Sequence, residues 1–199
     1  MPEIELPNPH ELEERRERSF SRRVALVTAV YAVVLAISAL GGSSAMKHML
    51  LAQQQSSDQW AFYQAKVIRE HQYRAQKMLL ETQLAEPTDI KGAARPKVEA
   101  LAKKFAEEEK RYNGEKKEIE QAAKKLEAER DLYRARDPYF ELAEVFLQIA
   151  VVSASVSILA NSRPMFWFSG ALALLGIVST VNGFFLYFHV PGLHGGGGH

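Results

Sequence analysis

Three apolar runs interrupt a chain otherwise crowded with charge, and their lengths are those of membrane spans. Residues 24–42, VALVTAVYAVVLAISALGG, carry no charged side chain and come close to the roughly 20 residues a helix needs to cross a bilayer. Residues 139–160 form a second run whose charges, Glu141 and Glu144, lie near its start. Residues 165–190 form the third, with Trp167 and Phe168 near one end and Phe184, Phe185, Tyr187 and Phe188 near the other. Aromatics at both ends match the belts that sit at the two membrane–water interfaces. The tight connection Asn161-Ser-Arg-Pro164 makes a hairpin of runs two and three.

The polar stretch 43–138 divides at EPTDIKGAARP, where Pro87, Gly92 and Pro96 mark a turn. The arms on either side, 44–85 and 96–137, would each reach about 60 Å as helix. Arms of equal length are what a hairpin needs if it leaves a membrane and returns to it. The return arm repeats every seven residues through Val98, Phe105, Tyr112, Ile119, Leu126, Tyr133 and Phe140, which predicts a narrow left-handed coiled-coil seam. Its remaining positions are mostly Lys, Arg, Glu and Ala, a solvated face with pairs such as Glu120–Lys124. Asn113-Gly114 is a soft spot in that helix rather than a break. On the outgoing arm the predicted seam is Ala61, Ala65, Ile68, Gln72, Ala75 and Leu79, flanked by Trp60, Val67 and Met78. Trp60, Phe62 and Tyr63 then read as packing residues of the hairpin. The alternative lays MKHMLLAQQQ on a bilayer surface, with those aromatics gripping headgroups.

The expected fold is therefore all-α: three transmembrane helices, with a long extramembrane antiparallel coiled-coil hairpin between the first and second. Residues 1–23 form an N-terminal segment, with Asn8 capping a short helix that begins at Pro9, and residues 191–199 a His- and Gly-rich tail. Averages conceal this layout. The 199 residues carry a net charge of +1 and a mean hydropathy of −0.20, values typical of a soluble domain, because apolar and charged residues are segregated into blocks. Near-neutrality argues against a nucleic-acid partner. The absence of cysteine excludes disulfides, thiolate metal sites and cysteine nucleophiles.

Basic residues near the spans orient them. Arg15, Arg16, Arg18, Arg22 and Arg23 precede span one, Arg163 lies in the tight turn, and no Lys or Arg follows span three. The N-terminus is expected in the cytoplasm, with the hairpin and the C-terminus outside it. A signal peptide cleaved near Ser43-Ser-Ala45 is the rival reading of span one. The long, acid-containing segment before it favours an uncleaved anchor.

The motif SDQWAFYQAK, just after the anchor RRVALVTAVYAVVLAISALGG, resembles the bacterial membrane-protein family known as the domain-of-unknown-function family numbered 4337. The similarity of arrangement extends over most of the chain. It implies a multi-pass protein of the bacterial inner membrane with a periplasmic hairpin, and it supplies no activity and no catalytic residues.

Candidate chemistry is sparse. Glu141, Glu144, Gln148 and Ser155 fall near one stripe of span two, interrupted by Val151 and Val152. An oligomer could line a cation pore with them. More simply, Asp137-Pro138 starts that helix, the acids suit its positive end, and Gln148 joins helices. Small-residue stripes run along span three (Ser169, Ala173, Gly176, Thr180, Gly183) and span one (Ala25, Ala29, Ala32, Ala36, Ala39), and such stripes let helices approach closely. The tail carries His189, His194 and His199, imidazoles able to take copper, nickel or zinc but matching no preformed tetrahedral site. His48 and His71 lack an acid–base partner in sequence, and no phosphate loop, H-E-x-x-H or nucleophile elbow occurs.

The expectation is a non-catalytic protein with no catalytic, cofactor or metal residues and no cofactor. Its partners would be the lipid bilayer, further copies of itself, or a larger membrane complex that it serves as scaffold or accessory subunit. An ion channel or transporter subunit lined by span two is the alternative, and a metal-binding tail a further one.

Overall fold

A computed structural model of the chain describes residues 9–85 and 92–188. Among them every regular element is helical: α1 (Pro9–Ala85), a 3-10 turn (Gly92–Ala94), α2 (Arg95–Leu159) and α3 (Arg163–Phe185). Each α-helix contains a stretch long and apolar enough to cross a membrane. Asn8, the Pro87 turn and the tail histidines His189, His194 and His199 lie outside the described residues.

The helices run further than the pattern of apolar blocks suggests. α1 passes Gly41 and Gly42 unbroken, so the N-terminal segment is no separate short helix, and α2 passes Asn113, Gly114 and Pro138 without interruption. Pro138 removes one ladder donor from α2, yet the helix continues on either side of it. Glu141 and Glu144 consequently lie far inside α2 rather than at its positive end, and a helix-dipole explanation for them fails. α3 ends at Phe185, five residues short of the expected 190. Leu186 turns left-handed (φ 53°) there. The Asn182 side chain then accepts from the Phe188 N–H and donates to the Phe188 carbonyl, both at 2.8 Å, holding the chain out of helical register.

The chain divides into two compact units, Met1–His48 with Leu132–His199, and Met49–Asp131. The first packs parts of all three α-helices around Val24, Tyr31, Leu147, Ala150, Ala154 and Ala173. Span three's small-residue stripe faces inward, with Ser169, Ala173, Gly176, Thr180 and Gly183 all buried. The space is needed: a Cβ on Gly176 would lie 2.6 Å from Leu147 Cγ, and one on Gly183 3.0 Å from the Phe140 ring. Buried hydroxyls find carbonyls within their own helix, as Ser169 does with Phe166 at 2.7 Å, or on a neighbour, as Ser179 does with Tyr139 at 2.9 Å. Polar groups inside an apolar bundle are expected to be satisfied in this way. Between α2 and α3, Asn161 adopts φ 45°, and the Ser162 N–H reaches back to the Ser157 carbonyl at 3.1 Å. Asn tolerates that left-handed backbone better than most residues.

In the second unit α1 and α2 pack side by side and antiparallel. Trp60 meets Glu127, Lys66 meets Glu115 and Lys77 meets Glu109, so positions rise on one helix as they fall on the other. The α2 seam is the expected one, with Tyr112 buried and Val98, Phe105, Ile119 and Leu126 half-buried, and with Ala102 and Ala123 buried between them. The α1 seam is not. Ala61, Ala65, Ile68, Gln72, Ala75 and Leu79 are all exposed. The helix instead turns Ser56, Trp60, Tyr63, Val67, Glu70, Tyr73, Lys77 and Leu80 toward α2. Trp60 and Tyr63 do pack in the hairpin, edge to face at 5.4 Å, whereas Phe62 is 60% exposed.

Candidate functional site

The most concentrated chemistry lies in the middle of the Met49–Asp131 unit, where α1 turns a carboxylate into the seam. Glu70 is 1% exposed. Its Oε2 accepts from Lys116 Nζ at 2.5 Å, and its Oε1 from Arg74 Nη2 and Asn113 Nδ2, both at 3.0 Å. Arg74 also donates to Glu109 at 2.7 Å, and Lys77 donates to the other Glu109 oxygen at 2.8 Å. Lys66 pairs with Glu115. Tyr73 and Tyr112 stack at 5.6 Å beside these ions, with the Arg111 guanidinium 4.9 Å from the Tyr112 ring. Helix geometry assembles the cluster: residues 66, 70, 73 and 77 step by three or four along one face of α1.

Electrostatics lock the cluster rather than poise it. Burial pushes the Glu70 carboxyl up, but bonds from Lys116 and Asn113 and the charges of Lys116 and Arg74 outweigh it, and the group lies below its ordinary 4.5. Hydrogen bonds from Lys77 and Arg74 hold Glu109 below the same value, and one from Lys66 does so for Glu115. The bond to Glu109 holds Lys77 above its ordinary 10.5. Every resolved shift among these ions moves away from neutrality, whereas acid–base work favours values near the operating pH. The arrangement suits fixing the register of two helices.

The sign of these shifts gives a pH dependence. A carboxylate with a depressed folded value contributes stability above its unfolded value, and that contribution is lost as pH falls through the folded one. We expect the hairpin to keep its full stability at neutral pH and to lose it progressively below about pH 4.5, as Glu70, Glu109 and Glu115 protonate. Amide exchange across residues 56–120 at stepped pH measures this, and protection unchanged down to pH 3 would contradict it.

The residues singled out in span two do not converge. Gln148, Ser155 and Glu141 are exposed and Glu144 is half-buried, while Val145, Ile149 and Val152 are exposed among them. His48 stacks on Tyr133 at 4.9 Å, and His71 is exposed. Among the described residues no group of three or more His, Asp or Glu is placed to hold a metal ion. A groove of about 290 Å³ opens between α2 and α3, lined mainly by Leu142, Phe146, Leu175 and Val178. The polar groups at its edge, Tyr139 and Asn182, are engaged by Phe188.

Glu70, Lys66 and Lys77 escape a search for apolar repeats because they are charged residues at seam positions. The signal that finds them is complementarity between arms: acids on α2 at 109 and 115 answer cations on α1, and Lys116 answers Glu70.

No curated protein and no solved structure matches the chain. A family model described as Domain of unknown function (DUF4337) matches residues 20–186, a stretch that takes in both arms of the hairpin and nearly all of the apolar length of the three helices. The chain belongs to that family.

Proposed function

We propose that the chain is a non-catalytic, multi-pass protein of the bacterial inner membrane that works by association, as a self-associating scaffold or as an accessory subunit packed against a larger membrane complex. The observation that carries this reading is a contrast between two stripes. Span three's small residues are consumed inside the chain's own bundle, while Ala25, Ala29, Ala32, Ala36 and Ala39 of α1 are all exposed. In lipid there is no hydrophobic drive to cover such a stripe. Its use is close backbone approach by another helix. Arginines before span one support a cytoplasmic N-terminus, with residues 43–138 on the periplasmic side.

A pore lined by α2 is a second reading, favoured by the exposure of Gln148 and Ser155 on that helix. It requires Gln148→Leu to alter ion flux while assembly survives. Native mass spectrometry of the protein extracted gently from its membrane tests the first reading. A homo-oligomer at a multiple of 22.3 kDa or a complex with a second polypeptide is the expected result. A bare monomer would sink it.

A further inference from the structure

We propose that α1 carries a second coiled-coil face in the Met49–Asp131 unit and that its occupant is the same face of a second copy of this chain. The proposal deepens the self-association reading and rests on it. Ala61, Ala65, Ile68, Gln72, Ala75 and Leu79 advance in steps of four and three, the spacing of a coiled-coil seam. None of them touches the seam that α1 makes with α2, and all are exposed. The helix therefore has two repeats on different faces: a polar and aromatic one used within the chain, and an apolar one left open.

The open face is unlike the rest of the hairpin surface. Ile68 is 62% exposed and Leu79 60%, with Phe62 and Met78 beside them at 60% and 58%. From 61 to 79 it carries no acid. The exposed face of α2 is dense with Lys103, Lys104, Glu107, Lys110, Lys117 and Glu118, as a solvated helix should be. Water covers α2. An uncharged apolar repeat of this length marks a contact surface.

Several features identify the occupant as a second copy. Heptad spacing admits a helix with the same spacing, which this chain supplies. A parallel, in-register pair sets Gln72 against Gln72, amide to amide, at a core position where one polar residue fixes register. Alanines at 61, 65 and 75 let the backbones approach. Between 61 and 79 the flanking positions then meet without like charges, with Gln64 of one copy opposite Arg69 of the other and His71 opposite Gln76, and Asp58, one step before Ala61, bounds the pairing. The pairing is isologous, so one surface serves both partners.

Because the chain has no cysteine, single substitutions read the contact directly. Ala61→Cys, Ala65→Cys and Ala75→Cys in the full-length protein, oxidised in native membranes, should each give a covalent dimer, and Lys117→Cys on α2 should not. Ile68→Glu with Leu79→Glu should weaken dimerisation by at least about tenfold, since like charges would meet at the interface. Helicity should be retained, because both side chains are exposed in the single chain. A homo-oligomer by native mass without these cross-links overturns this surface and leaves self-association standing. Cross-links from Lys117→Cys as strong as those from the alanine sites, or to a different polypeptide, overturn it too. A monomer without cross-links overturns both.

Discussion

Glu70→Ala should destabilise the hairpin by about 2–3 kcal/mol, the larger part of what removing one partner of a buried ion pair usually costs. The carboxylate is 1% exposed and accepts from three donors. Its removal strands Lys116, which is 19% exposed, and leaves the Asn113 amide without that acceptor. Both would have to recover water or new acceptors. Arg74 suffers less, because it keeps Glu109 at 2.7 Å. Glu70→Gln keeps the shape and one acceptor, so it should cost about half as much. Replacing both ends, Glu70→Leu with Lys116→Met, should cost less than Glu70→Ala, since it strands no ammonium and leaves only the Asn113 amide and one Arg74 bond to be made good. Amide exchange across residues 60–120 of the full chain reads all three variants. Equal stability of Glu70→Ala and the parent would show that the cluster does not hold the arms.

That experiment also bears on how α1 is to be read from its sequence. The return arm was legible because large residues, Phe105, Tyr112, Ile119 and Leu126, mark its seam, and burying large apolar side chains leaves a repeat visible in one strand of sequence. The outgoing arm misled for a physical reason. Its apolar repeat is real, but it points away from α2, and its inner seam includes Ser56, Lys66, Glu70 and Lys77. The charged ones enter a seam only when the other helix supplies counter-charges, as it does for Lys66, Glu70 and Lys77. The information is distributed over both arms and cannot be found in either.

The three apolar stretches were plain, because lipid-length runs tolerate few charges. Where helices stop was less so. Gly42 closes the first apolar run and Pro138 reads as the start of a helix, yet α1 and α2 run through them. At Gly41 the missing side chain serves packing: a Cβ there would meet the Phe140 ring at 2.5 Å. Asn182 holds the chain just after α3 through two side-chain bonds to Phe188, which no apolar count reveals. The candidate site was hardly legible at all: the expectation named no site residues, and the cluster around Glu70 became visible only once α1 and α2 were set side by side.

Gly41→Val should disrupt the Met1–His48 and Leu132–His199 bundle by about 2–3 kcal/mol, the upper range for overpacking. Phe140 is 2% exposed, and its ring is enclosed on two sides, by Gly41 of α1 and by Gly183 of α3. Phe184 closes it edge-on at 5.0 Å. The ring stands directly in the path of a Cβ at 41, so it must leave its rotamer or α1 must move off α2. Phe140→Ala alone should cost about 3 kcal/mol through the cavity it leaves, a loss of dispersion contacts that persists when the surroundings are lipid. The double variant discriminates. If the ring is what meets residue 41, valine at 41 fills part of the space that Phe140→Ala opens. The two costs should then fall short of additivity by at least about 1 kcal/mol. Thermal unfolding of the four proteins in one detergent measures the cycle. Additive losses would mean that Gly41 is needed for some reason other than the ring.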